Sequence, residues 1–152
     1  MTQDEYEAWR PVSIAGYAAE HVRAGNWTAE EAPEQAEKAF DHYLPDGLGT
    51  AGHCICAIVD ATTGANVGHL WYFIEPTKAG PRVFIADVGI DEPHRRKGYA
   101  SAALRELERE AVRLEADSIR LHVFGNNTAA RNLYARLGYA ETDVQMVKTL
   151  AA

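Results

Sequence analysis

One stretch limits what this chain can fold into more than any other. Residues 83–90 (Val-Phe-Ile-Ala-Asp-Val-Gly-Ile) are almost wholly apolar. Residues 91–98 (Asp-Glu-Pro-His-Arg-Arg-Lys-Gly) are short and charged, and Tyr99-Ala100-Ser101-Ala102-Ala103 opens a helical pattern. A strand that passes through a glycine-bearing loop into a helix is an anion-binding arrangement. The first N–H groups of a helix lack intrahelical partners, and the helix dipole makes that end partly positive. Gly98 lets the backbone approach an anion, while Arg95, Arg96 and Lys97 bring full charges. The segment is expected to hold a diphosphate, with the other elements arranged around it.

Upstream, Thr2 and Glu5 form a capping box, which predicts a helix from the start of the chain. Tyr6, Trp9, Ile14, Tyr17 and Val22 recur at near-helical spacing. Pro11 is expected to kink or split that helix, because it has no N–H and its ring clashes one turn back. Gly25-Asn26 ends it. Thr28 and Glu31 make a second capping box, and Ala32, Ala36, Phe40 and Leu44 give the next helix its buried stripe. Residues 54–59 and 67–74 read as a hairpin around Thr63-Gly64. A turn over 76–81 then leads into 83–90, so three strands form an antiparallel meander.

Beyond the charged loop, Leu104, Leu107, Ala111 and Leu114 mark one helix face. A strand over 119–124 should run parallel to 83–90, since a helix connects the two. A helix over 127–137 closes at Gly138, and a terminal strand is expected over 144–147. Together these predict an α+β fold with a mixed, mostly antiparallel sheet and helices on both faces.

A chain of 152 residues is most simply one domain, here 1–152. The net charge of −7 argues against nucleic acid, which needs a basic face, and leans toward a cationic small molecule or basic peptide. The acidic N-terminus is no signal peptide, and no apolar run reaches the ~18 residues of a membrane span. A cytoplasmic protein with no membrane partner is expected. Cys54 and Cys56 should share one strand face as small apolar side chains, badly placed for a local bridge. His21, His42, His53, His69 and His94 show no paired metal spacing; they read as surface or core residues, and no metal is expected. Trp9, Trp27, Trp71 and Tyr72 read mainly as core.

Two segments carry a resemblance. The run Ile90-Asp-Glu-Pro-His-Arg95-Arg-Lys-Gly98-Tyr-Ala100 resembles the acetyl-CoA signature (Gln/Arg)-x-x-Gly-x-(Gly/Ala) of the GNAT superfamily of N-acetyltransferases. Asn127-Thr-Ala-Ala130-Arg-Asn-Leu133-Tyr134, ending in Leu137-Gly138-Tyr139, resembles its second signature. The resemblance covers about residues 54–150 and divides the chain into a helical acceptor-side region, 1–52, and a cofactor-binding core, 53–150. The chain departs from relatives in opening directly with a helix, where they usually begin with a short strand.

The resemblance implies splayed central parallel strands with the thioester arm of acetyl-CoA in the gap. It places the diphosphate on the amides from Arg96 through Lys97, Gly98 and Tyr99 to Ala100, helped by Arg95 and Ser101. Val88 and Ile90 would face the thioester, the Ile90 amide as oxyanion donor. Asn127 and Ala130 would meet the pantetheine, although Asn127 equally suits a helix N-cap. Tyr134 would protonate the departing thiolate, a role open to a phenol of pKa ~10.

The acceptor amine must lose a proton before attack. Asp87, the one charge in an apolar strand, His122 and Glu75 are the candidate bases, directly or through water. Burial of Asp87 would raise its pKa toward a useful range, and the unperturbed pKa of His122, ~6.5, already suits the task. The implied reaction is direct transfer from acetyl-CoA to a primary amine of a small molecule or peptide, in a ternary complex; many relatives dimerise, so a homodimer is one state open to the chain, and the residues do not choose it. The alternative is a non-catalytic sensor or scaffold of the same fold that binds CoA or acyl-CoA.

Overall fold

A computed structural model of the chain describes residues 1–150. Two helices come first, α1 (Gln3–Arg23) and α2 (Ala32–Tyr43). Three strands follow, β1 (His53–Val59), β2 (Asn66–Thr77) and β3 (Gly80–Ile90), then α3 (Tyr99–Arg113), β4 (Ile119–Leu121) and α4 (Thr128–Arg136). The sheet order is β1-β2-β3-β4, with β1, β2 and β3 antiparallel and β4 parallel to β3. This is the expected mixed, mostly antiparallel α+β sheet. Among the described residues no helix is long and apolar enough to cross a membrane.

The predicted caps form. Thr2 and Glu5 exchange both capping-box bonds at the head of α1. Thr28 and Glu31 do the same, at 2.8 and 3.3 Å, one turn before α2. Pro11 does not split α1, which runs unbroken through it. Pro11 is exposed, so the carbonyl it leaves without a partner faces water, while Trp9, Ile14 and Ala18 hold both halves against the sheet.

Two cores lie on opposite faces of the sheet. Tyr6, Trp9, Ile14, Ala36 and Phe40 of α1 and α2 pack on Ile55 and Trp71. Leu104, Leu107 and Ala111 of α3 pack on Leu70, Val83 and Ile85, with Leu133 and Tyr134 of α4 alongside. Leu104 is fully buried, and a side chain of that size contributes ~1.5–3 kcal/mol by leaving water. Cys54 and Cys56 share a face as expected, both as free thiols, with sulfurs 3.3 Å apart.

The decisive irregularity is in β3. Its register against β2 shifts so that Trp71 opposes Asp87 while Tyr72 opposes Ile85, which leaves Ala86 as an extra residue. Such a bulge reverses the alternation of side chains. Val83 and Ile85 join the α3-side core and so does Val88, whereas Asp87 turns to the α1 side, where it meets Ser13. Pairing with β4 ends at the same point, Ile85 with Leu121. The strand expected over 119–124 is therefore only three residues long, and β3 and β4 splay apart beyond it. The strand expected over 144–147 does not form. Val144, Met146 and Val147 are exposed and belong to no regular element, since their apolar alternation breaks at the Met146-Val147 pair and β4 offers only a short edge to pair with.

Candidate active site

A cavity of about 680 Å³ opens where β3 leaves β4. Its floor is the α1 side of the sheet: His69, Trp71, Phe73 and Glu75 of β2, with Phe84 and Asp87 of β3. One wall is α1, which presents Ser13, Gly16, Tyr17, Glu20 and His21, residues that repeat at three and four and so share one face. The other wall is His122 and Phe124 after β4, with Asn127, Ala130 and Tyr134.

Asp87 is the most constrained group in the cavity. The Ser13 hydroxyl donates to its Oδ2, and His69 Nε2 lies 2.9 Å from the same oxygen. Both bonds fall on one oxygen and leave Oδ1 without a partner among the described residues. The His69 ring reaches across Gly89 to do this. A Cβ on Gly89 would stand 2.6 Å from His69 Cε1, so a glycine is required there although its φ is not in the left-handed region. Asp87 is not enclosed as expected: 34% of its side chain stays exposed, because the bulge turns it out of the α3-side core.

The charges in the cavity act on one another. Burial, then the Asp87 charge, pushes the Glu20 carboxyl up, with Arg23 opposing. Burial, then Asp87 and Glu20, pushes the Tyr134 phenol up to about 12. Burial, then His122, pushes His21 down. Tyr134 therefore holds its proton at any ordinary pH.

On the open side of β3 the backbone is available. The Asp91 N–H donates to Val67 O at 2.9 Å. Alternate residues of a strand point their amides to opposite sides, so Val88 and Ile90 aim theirs into the splay. Farther on, Gly98 caps α3 with φ 87°, a left-handed conformation suited to glycine, and no side chain caps the helix. From Arg96 to Ser101 no backbone N–H has an acceptor among the described residues. This run of unclaimed donors at a helix N-terminus fits a diphosphate.

The comparisons with known proteins decide the family. Residues 17–139 match the model of the acetyltransferase (GNAT) family. The chain belongs to the GNAT acetyltransferase family. It is 36% identical over 150 residues to YdgE, an uncharacterized N-acetyltransferase of Bacillus subtilis (strain 168), covering 99% of this chain and 95% of that protein. The crystal structure of YycN, a putative acetyltransferase of Bacillus subtilis, superposes with TM-score 0.93 at 37% identity, covering 100% of this chain and 96% of that one. A mouse (Mus musculus) thialysine N-ε-acetyltransferase is 26% identical over 117 residues, 72% of this chain and 69% of that protein.

GNAT acetyltransferases generally take acetyl-CoA as donor, and the residues picked out in the sequence fall into two groups here. Asp87, His122, Glu75, Val88, Asn127, Ala130 and Tyr134 line the one cavity. Ile90 and residues 95–101 lie outside its lining, at the end of β3 and in the loop and first turn of α3. Asn127 spends its side-chain carbonyl on capping α4, accepting from Ala130 N at 3.2 Å, which leaves its NH₂ for other partners. Arg95 Nε donates to Ile90 O at 2.9 Å, and Lys97 Nζ to Pro93 O at 3.0 Å. These two side chains thus brace the loop, while the Tyr99 hydroxyl ties it to Asp60 in the β1–β2 turn.

The sequence reading missed part of the cavity lining. Ser13, Glu20, His21 and His69 were not singled out for function; His21 and His69 read as surface or core. The helical recurrence of 13, 16, 17, 20 and 21 was available as a signal, but it is indistinguishable from an ordinary half-exposed helix face. Nothing local marked His69, whose role depends on Gly89 and Asp87 across the strand pair.

Proposed function

We propose that this GNAT acetyltransferase moves the acetyl group of acetyl-CoA to a primary amine by direct transfer in a ternary complex. The observation that carries the reading is the meeting of Asp87 and Tyr134 in one cavity, beside the open edge of β3. The amides from Arg96 to Ser101, with Arg95 terminal nitrogens, bind the diphosphate. The Asn127 NH₂ and Ala130 border the pantetheine. When bound, the cosubstrate supplies an acetyl group activated as a thioester.

Asp87 Oδ1 takes a proton from the acceptor ammonium, and Ser13 and His69 fix the carboxylate for that task. Among the three candidate bases, Asp87 is favoured over His122 and Glu75 by those two bonds. The Ile90 N–H receives the charge that develops on the carbonyl oxygen, a contact whose loss can cost ~2.7–4 kcal/mol. Tyr134 gives its proton to the departing sulfur, and its phenol, held up at about 12, is protonated whenever the amine is ready to attack. The mouse relative, named for N-ε-acetylation of thialysine, supports an amine acceptor.

The test is turnover of acetyl-CoA with an amine panel, read by thiol release and by mass of the product. Acetylated amine supports the reading. Acetyl-CoA binding by calorimetry with no acetylated amine overturns it.

A further inference from the structure

Two phenylalanines in the cavity belong to neither core. Phe73 and Phe84 line the floor half-buried, yet neither packs into the α1/α2 cluster or the α3 cluster. They are cross-strand partners, and their rings stack at 5.1 Å and 29°. Tyr43, which is 46% exposed, extends the stack from α2 at 6.2 Å and 30° to Phe73. The result is a shelf of near-parallel rings, wet on one side, running out from the reacting centre. A large apolar side chain left half in water without a core role is a poor contributor to folding. It is a good surface on which to lay another ring.

The inner end of the shelf is anionic. Glu20 and Asp87 face the same space, and among the described residues no Lys or Arg lines the cavity. Phe84 and Asp87 are three residues apart on one strand, within about 10 Å at ~3.3 Å per residue. That span suits a charged nitrogen joined to a ring by a short aliphatic linker. Glu75 is the remaining carboxylate in the lining, but it sits directly across from Arg82 in the strand pair.

We propose that the acceptor is an arylalkylamine, with its primary ammonium between Glu20 and Asp87 and its aromatic ring on the Phe73–Phe84 shelf. This rests on the amine-acetylation reading above and narrows it to one substrate class. It makes Phe73 and Phe84 specificity-determining residues and Glu20 the second anchor of the ammonium.

The experiment compares kcat/KM for 2-phenylethylamine, n-butylamine, spermidine, kanamycin and a peptide with a free N-terminus, using the full chain with acetyl-CoA. The phenyl compound should exceed n-butylamine and spermidine about tenfold or more, the discrimination that filling an apolar subsite provides. Phe84→Ala should collapse the ratio of phenylethylamine to butylamine toward one. Phe84→Leu, which keeps the apolar bulk and guards against misfolding, should lower the ratio partway. Glu20→Gln should raise KM for every amine while leaving that ratio in place. The proposal is overturned if spermidine, kanamycin or the peptide is the better acceptor, or if the ratio is unchanged in both Phe84 variants. Acetylation of those compounds would still leave the enzyme an amine acetyltransferase. Failure of all amines alongside measurable acetyl-CoA binding removes both readings together.

Discussion

The two sides of strand β3 are built in different ways. Toward α3 the chain offers backbone: the amides of Val88 and Ile90 in the splay, and the run from Arg96 to Ser101 behind Gly98. That side comes from one contiguous stretch. Toward α1 it offers side chains, gathered from Ser13 on α1, His69 on β2 and Asp87 on β3, with Tyr134 reaching the same cavity from α4, where it also packs beside the α3-side core. A donor common to a whole family can be held by groups every residue possesses, whereas an acceptor particular to one enzyme has to be read by side chains. The Ala86 bulge joins the two, because one extra residue both turns Asp87 toward α1 and points the Ile90 amide into the splay.

The comparison is sharpened most by removing a side chain from the acceptor side. Tyr134→Phe should lower kcat by ~10²–10⁴-fold, the usual contribution of a positioned acid, with acetyl-CoA affinity by calorimetry unchanged. Loss of affinity instead of rate would move Tyr134 to the donor side. The pH profile gives an independent reading. A general acid has to be protonated to act, and the Tyr134 phenol is raised to about 12 from 10. Activity should therefore rise with pH as the amine loses its proton and stay level through pH 10–11, falling only as pH passes through the folded value. A falling limb centred at 10 or below, in protein still folded by circular dichroism, would remove the assignment.

Asp87→Asn ranks next, with a loss of ~10² in kcat/KM at neutral pH. The deficit should shrink as pH approaches the acceptor's own pKa, because a free amine needs no base. A deficit that stays constant with pH would show that Asp87 only positions the substrate.

The loop into α3 was legible in the sequence because it is contiguous, and Gly98 caps the helix where the pattern put it. Residues 95–101 announce a loop entering a helix, and the two signatures together announce the GNAT family that the matched residues 17–139 show. The helices and the meander were readable as well, since caps and apolar periodicity are local. Pro11 misled because its effect depends on which face of α1 it occupies, and the exposed face tolerates it. The early end of β4 and the missing strand over 144–147 turn on whether a neighbour is there to pair with, which no window of sequence contains. His69 was missed on the same ground. Its contact to Asp87 exists only because the bulge and Gly89 bring the two together.

Substitution at Gly98 tests the backbone side. Gly98→Ala puts a side chain on a residue with φ 87°, where nothing lies within 4 Å of the added Cβ. The cost is conformational alone, ~1–2 kcal/mol for a left-handed residue. Charged to binding, it raises the KM for acetyl-CoA by roughly 5- to 30-fold and leaves the relative kcat/KM values of different amines unchanged. A change in acceptor preference would mean that the two sides are not separable.

Gly89→Ala is the opposite case. Its backbone conformation accepts a side chain, but the new Cβ would lie 2.6 Å from His69 Cε1, so the imidazole has to leave Asp87. The expected loss is that of one hydrogen bond, ~0.5–1.5 kcal/mol, or roughly 2- to 12-fold in kcat/KM. His69→Ala should cost about the same by removing the ring outright. If both act through that bond, the double variant Gly89→Ala/His69→Ala should be no worse than His69→Ala alone, because the small side chain leaves room for the added methyl. Simple additivity of the two losses would mean that Gly89 acts on the donor side, through the neighbouring Ile90 amide. A glycine chosen for its own φ and a glycine chosen to clear space for a remote ring are alike in sequence, and this cycle separates them.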